Sequence, residues 1–182
     1  MIMSEDHQAR EQSRNNLAIE VLNKTGWLRL SAFGSSMLPT LYPGDILTIR
    51  REPLTAIQSG DVVLYTRGDR FFIHRNLRSV QTAWGRALVT RGDSMPQVDE
   101  PVTPTELLGR VVNIERDGEL KSVPPCTLPR RALGMLLAYS TRLRSIFLDL
   151  HKPTEPLDAL GIRERRGVAV AAPSEFGTFH SR

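Results

Sequence analysis

The chain has 182 residues, 40% hydrophobic and 24% charged, enough to bury one ordinary core and too little for several. Its formal net charge of +4 is carried mainly by arginine, since the lysines are Lys24, Lys121 and Lys152, and such an excess governs association and solubility rather than fold. The single cysteine, Cys126, excludes an internal disulfide, and with one histidine in the central segment, His74, it excludes a typical zinc site.

The first 16 residues are polar and charged, with no apolar stretch ahead of a small-residue cleavage site, so no export signal is expected. Residues 1–12 are expected to fray, after which Leu17, Ala18, Val21 and Leu22 recur at helical spacing up to Gly26 and predict a short helix within segment 1–26. From Trp27 the period shortens. Six runs read as strands: Trp27 to Phe33, Ile46 to Arg50, Val62 to Tyr65, Phe71 to Val80, Ala87 to Thr90 and Leu107 to Ile114. Turns at Gly44, Gly60, Gly68, Gly92 and Gly118 punctuate them, so segment 27–121 predicts a mainly β, compact antiparallel domain flanked by helices.

Thr127 and Pro129 open a second predicted helix within 122–151, whose Leu133, Leu136, Leu137, Leu143, Phe147 and Leu150 share a face opposite Arg131 and Arg142. It is expected to pack on the β domain; the alternative is peripheral contact with an anionic membrane through residues 129–150. Its uncharged stretch, Ala132 to Thr141, would cover about 15 Å of a roughly 30 Å hydrocarbon layer, so no transmembrane crossing is expected. Residues 152–182 have no sustained period and read as a loose tail. These features predict a cytoplasmic or membrane-peripheral protein.

The chemistry concentrates in Gly34-Ser35-Ser36-Met37-Leu38-Pro39-Thr40, which runs through the turn Pro43-Gly44-Asp45 into the apolar residues Ile46 to Ile49. A serine hydroxyl such as that of Ser36 is a poor nucleophile until a base takes its proton. His7, His151 and His180 lie in terminal segments, which leaves His74, in Phe71-Phe72-Ile73-His74-Arg75, as the histidine inside the β region. Arg75 is no base, because a guanidinium keeps its proton, whereas an imidazole, with an ordinary pKa of about 6.5, is mostly neutral at pH 7. Such a base is oriented by a third group, and Arg91-Gly92-Asp93-Ser94-Met95-Pro96-Gln97-Val98-Asp99 supplies two carboxylates, Asp93 and Asp99.

These boxes, in this order and with Gly44-Asp45 and Gly60-Asp61 between them, span about residues 30 to 115 and resemble the signal peptidase I family and its relatives, the LexA-type self-cleaving repressors. Bacterial signal peptidases carry a lysine base where this chain has His74, so the resemblance is to the Ser-His-Asp branch found in the endoplasmic reticulum and archaea. It implies a serine endopeptidase that cuts a leader or precursor peptide after small residues. It carries the triad acid to Asp99, and leaves Asp93 to hold the loop or share that role. The oxyanion donor it implies is the Ser36 backbone N–H, with the Ser35 hydroxyl as a second contributor; where the family often has a serine two residues before the nucleophile, this chain has Gly34. The usual family member is anchored in a membrane, and here no anchor is expected.

No metal or other cofactor is implied, and no nucleic-acid partner is expected. Arg163, Arg165 and Arg166 lack interleaved aromatic residues, and the 26 residues before Trp27 hold one helix rather than a helix-turn-helix. Ser94-Met95-Pro96 also resembles a LexA-type box, but no Gly-Asp turn follows it and only Lys121 and Lys152 lie downstream. The two Arg-Gly-Asp copies, at Arg67 and Arg91, read as turns beside strands. The alternative from another class is a noncatalytic peptide-binding module that keeps the fold.

Overall fold

The structure, a computed structural model, describes residues 2–83 and 85–150; the tail expected at 152–182 lies outside them. Helix α1 (Ile2–Thr25) leads into strands β1 (Trp27–Ser31), β2 (Ile46–Arg50), β3 (Val62–Arg67), β4 (Arg70–Thr82), β5 (Gly85–Arg91), β6 (Leu107–Arg116) and β7 (Glu119–Ser122), followed by helices α2 (Leu128–Tyr139) and α3 (Thr141–Leu150). The protein is thus mainly β, as the alternation and turn residues predict. All pairings are antiparallel, in the order β1-β2-β6-β3-β4-β5. One edge of β6 pairs with β2; the other is shared between β3, at Leu107 to Arg110, and β7, at Asn113 to Arg116.

Strand β3 shows how the two cores divide. Its residues Val62 to Tyr65 are all buried, and because successive side chains point to opposite faces, Val62 and Leu64 enter one core while Val63 and Tyr65 enter the other. The first core lies under α1, whose Ala18 and Leu22 meet Leu28, Leu30, Leu47 and Ile49. The second gathers Leu54, Ile57, Leu88 and Val102 around Tyr65.

Three elements differ from the sequence expectation. The residues expected to fray continue α1 back to Ile2, because Ser4 to Asn16 holds good helix formers such as Ala9, Arg10, Glu11 and Gln12 with no glycine or proline. Gln12 and Asn15 also tie the helix to Asp69 at the β3–β4 turn, at 3.0 and 2.6 Å. Strand β7 was not anticipated: its four residues are all exposed and so carry no burial pattern, and it forms through the left-handed pair Asp117 (φ 54°) and Gly118 (φ 76°), which makes a two-residue hairpin. The single helix expected over 129–150 breaks at Ser140 (φ −118°, ψ 102°), where Ser-Thr offers a better helix start than a helix interior.

Helices α2 and α3 lie against the segment that follows Ser36, with Leu137 buried beside Leu38 and Tyr42 and Phe147 stacked on the Tyr42 ring at 5.6 Å. Leu133 and Leu136, expected on the packed face, are instead exposed, since Gly134 and Leu137 face inward. Among the described residues, no helix is long and apolar enough to cross a membrane.

Candidate active site

Ser36 is set by the turn that leaves β1. Gly34 has φ +79°, a conformation open to glycine and costly for a residue with a side chain. The chain then folds tightly, with Leu38 N–H donating to Ser35 O (3.2 Å) and Thr40 N–H to Met37 O (2.8 Å), and the buried Met37 and Leu38 side chains pin it to the cores on either side; the Leu38-Pro39 peptide is cis. The far end is fixed by buried Asp45. Its carboxylate accepts from the Tyr42 N–H (2.8 Å) and from both donor sides of the Arg116 fork (2.7 and 2.6 Å), while the Arg116 guanidinium covers the Tyr42 ring at 3.9 Å.

The loop after β5 supports the serine from behind. Ser94 N–H donates to Ser36 O (2.9 Å) and the Ser94 hydroxyl to Ser35 O (2.8 Å), so this buried serine, the alternative nucleophile, is a strut for Ser36. Gly92 permits the approach: a Cβ there would stand 2.6 Å from Ser36 O and 3.1 Å from Ser36 Cβ. Gly92→Ala is therefore expected to push Ser36 off its position and cut any Ser36-dependent activity about 100-fold, since a displacement of about 1 Å has that cost. A crystal structure of the variant beside its rate checks this, and unchanged kinetics with an unmoved Ser36 would refute it.

His74 and Arg75 are neighbours on β4, so their side chains point to opposite faces of the sheet. His74 lies on the Val63 and Tyr65 face and is almost buried. Its Nε2 is 3.1 Å from Ser36 Oγ and its Nδ1 is 2.7 Å from Asp99 Oδ2. With Nδ1 protonated and donating to the carboxylate, Nε2 offers its lone pair to the serine hydroxyl. Asp99 is held in turn: the Thr90 hydroxyl donates to the same Oδ2 (2.7 Å), and Asp99 N–H donates to Thr90 O (2.9 Å). Burial pushes the Asp99 carboxyl up, but hydrogen bonds from His74, Thr90 and Tyr65 outweigh it and hold the carboxyl below the usual carboxylate range. The Tyr65 hydroxyl is 3.4 Å from His74 Nδ1, and burial drives it up to about 12, so it stays a proton donor at neutral pH.

Arg75, on the other face, carries Asp93. Its Nε and Nη2 grip the two Asp93 oxygens at 2.8 and 2.7 Å, and the Thr40 hydroxyl donates to Oδ2 at 2.5 Å. Arg75 also donates to Gly60 O (2.8 Å) and Pro124 O (3.2 Å). The two carboxylates that the sequence leaves open are thus divided by strand alternation: Asp99 meets His74, and Asp93 holds the loop. Sequence reasoning passed over Thr90, Tyr65 and Thr40, whose hydroxyls come from three separate elements. For Arg75 a signal existed, since a residue next to His74 on a strand must face away from it.

Among the described residues, the Ser36 N–H and the Ser35 hydroxyl donate to no protein acceptor; of the two, Ser36 lines the cavity beside His74 and Ser35 does not. A groove of about 420 Å³ opens beside Ser36 and His74, walled by Ala32 to Gly34 on one side and Phe71 to Ile73 on the other, and α1 closes its far end with Arg14 and Asn15. Strand β4 pairs with β3 from Arg70 to Arg75 but with β5 only from Arg75 onward, which leaves its Arg70 to His74 edge open to the groove. The arrangement brings a serine hydroxyl, an imidazole, a carboxylate and a free strand edge to one place. No family model, curated protein or solved structure matches this chain.

Proposed function

We propose that the chain is a serine endopeptidase resembling signal peptidase I, with Ser36 as nucleophile, His74 as base and Asp99 as the acid that orients it. The observation that carries this reading is the continuous chain from Ser36 Oγ to His74 Nε2 (3.1 Å) and from His74 Nδ1 to Asp99 Oδ2 (2.7 Å). A peptide laid along the open β4 edge would bring its carbonyl carbon to Ser36 Oγ. As the O–C bond forms, Nε2 takes the hydroxyl proton, and the Ser36 N–H meets the developing oxyanion. The imidazolium, steadied by Asp99, gives that proton to the departing amine as the C–N bond breaks. Water then attacks the acyl-enzyme, His74 takes its proton, and Ser36 leaves as the free hydroxyl with a new peptide carboxylate. The preference for small residues before the cut, and a leader or precursor as substrate, rest on the family resemblance.

The test is incubation with a peptide library, read by mass spectrometry, in parallel with Ser36→Ala. The native protein is expected to cut at defined positions and the variant to leave them intact; equal cleavage by both would refute the reading, and binding without cleavage by either would leave a peptide-binding module. The sign of the pH dependence follows from the site. Because Asp99 is held below the usual carboxylate range, it stays charged into mild acid and keeps its hold on Nδ1 there, so its contribution to the rate should be lost only in stronger acid, as this carboxylate takes up a proton. A rate rising only toward about pH 9 or above would assign the base to a lysine.

A further inference from the structure

Helix α2 turns a small face to the domain and a large apolar face to solvent. Inward, Leu137 is buried against Leu38 and Tyr42, and a Cβ at Gly134 would stand 2.9 Å from the carbonyl oxygens of Leu38 and Asp93. Outward, Leu128, Ala132, Leu136 and Tyr139 recur at the three- and four-residue steps that align on one side of a helix. Leu128 is 83% exposed, Leu136 54% and Tyr139 76%, and Leu133 at 37% widens the row. An aligned row of this kind differs from the single exposed apolar residues that any surface carries.

The charges around the row name its occupant. Arg131, exposed, borders the row, Arg130 lies in line with Gly134 and Leu137 on the first turn, and α2 contains no acidic residue from Leu128 to Tyr139. Near the start of the helix, Arg91 and Arg131 line a cleft, and among the described residues neither side chain has an ion-pair partner. An apolar row bordered by Arg131, with Arg91 beside it, matches a layer with hydrocarbon below and phosphates above, because arginine stems can lie along the apolar surface while their heads reach the anionic plane. We propose that α2 lies in the headgroup layer of an anionic lipid bilayer, with Leu128, Ala132, Leu136 and Tyr139 toward the acyl chains and Arg131 and Arg91 on lipid phosphates. The inference stands apart from the peptidase reading. It has a consequence for it, though: Leu38, against which α2 packs, is two residues from Ser36, so docking would hold the groove near the membrane surface.

The experiment is co-sedimentation of the whole protein with vesicles of phosphatidylcholine mixed with phosphatidylglycerol, beside vesicles of phosphatidylcholine alone. Pelleting is expected with the anionic vesicles, weaker with the neutral ones, and falling as salt rises from about 0.1 to 0.5 M. Leu128→Asp and Leu136→Asp should each weaken binding about tenfold or more. Both positions are exposed, so circular dichroism and the melting temperature should stay as in the native protein. No pelleting with anionic vesicles, or pelleting that the two substitutions leave unchanged, overturns the proposal. So does a lipid-free dimer that the same substitutions dissolve, since the row would then serve a second copy of the chain. None of these measurements reads cleavage, so their failure leaves the assignment of Ser36 standing.

Discussion

Replacing His74 by alanine is expected to lower peptide cleavage by about 10⁴-fold or more, and combining it with Ser36→Ala should cost no more than the worse single change. On the proposed mechanism the hydroxyl and the imidazole act in one step. Without a base 3.1 Å away, Ser36 keeps its proton, and without Ser36 the imidazole has no alkoxide to release. Independent contributions would multiply, whereas members of one unit do not. Single-turnover rates for the two variants and the pair make the comparison, with circular dichroism to verify the fold. Multiplicative losses would mean that His74 acts on something other than Ser36. Asp99→Asn should be severe as well, because an amide that donates to Nδ1 forces the imidazole into the tautomer whose Nε2 carries a proton and cannot accept one. Thr90 and Tyr65 bound what a smaller change can do. Their hydroxyls hold Asp99 and flank His74 Nδ1, so removing either loosens the carboxylate without taking it away.

What the sequence disclosed and what it withheld follow from the reach of each signal. Short apolar runs between turns are a local signal, so the strands through Ile46 to Arg50 and Val62 to Tyr65 are legible from their own residues. The fourth-strand histidine was found because it is the one histidine among strand-like residues. Side-chain pairs between distant elements leave no such trace. That Thr90 meets Asp99 depends on how the loop after β5 returns beside its own strand, and that Thr40 meets Asp93 depends on two turns meeting 53 residues apart. The helical region misled for a different reason. Leucine periodicity reported an amphipathic helix at 129–150, but it could not say that Gly134 would be the point of closest approach, which rotates Leu133 and Leu136 outward. The break at Ser140 was visible in principle, as Ser-Thr within a run of leucines. Strand β7 was not, since an exposed four-residue strand is specified by the turn before it and by the edge of β6 rather than by its own pattern.

The second large effect lies on the face of β4 opposite the candidate triad. Arg75→Met is expected to destabilise the protein by about 3–5 kcal/mol, because it strands a carboxylate in the interior. Arg75 and Asp93 are about 3% and 4% exposed, and with the guanidinium gone Asp93 would retain the Thr40 hydroxyl and little else. The carbonyls of Gly60 and Pro124 would lose their donor at the same time. Arg75→Lys should recover little of this, since one ammonium cannot reproduce the bidentate grip on Asp93 and also reach both carbonyls. The informative variant is the pair Arg75→Met with Asp93→Leu. If the cost of the single change is a stranded charge, removing the charge as well returns a good part of the lost stability, as apolar replacements of buried ion pairs often do. Urea unfolding of the three proteins measures it, and a double variant as unstable as the sum of its parts would show that the pair contributes through something other than mutual neutralisation. Activity should not recover with stability. Asp93 lies between Gly92, which sits against Ser36, and Ser94, which donates to Ser35 O and Ser36 O, and Arg75 ties that loop to the strand that carries His74. An apolar pair can fill the space, but it has no directional hold on the loop, so the double variant should fold with Ser36 and His74 less well aligned.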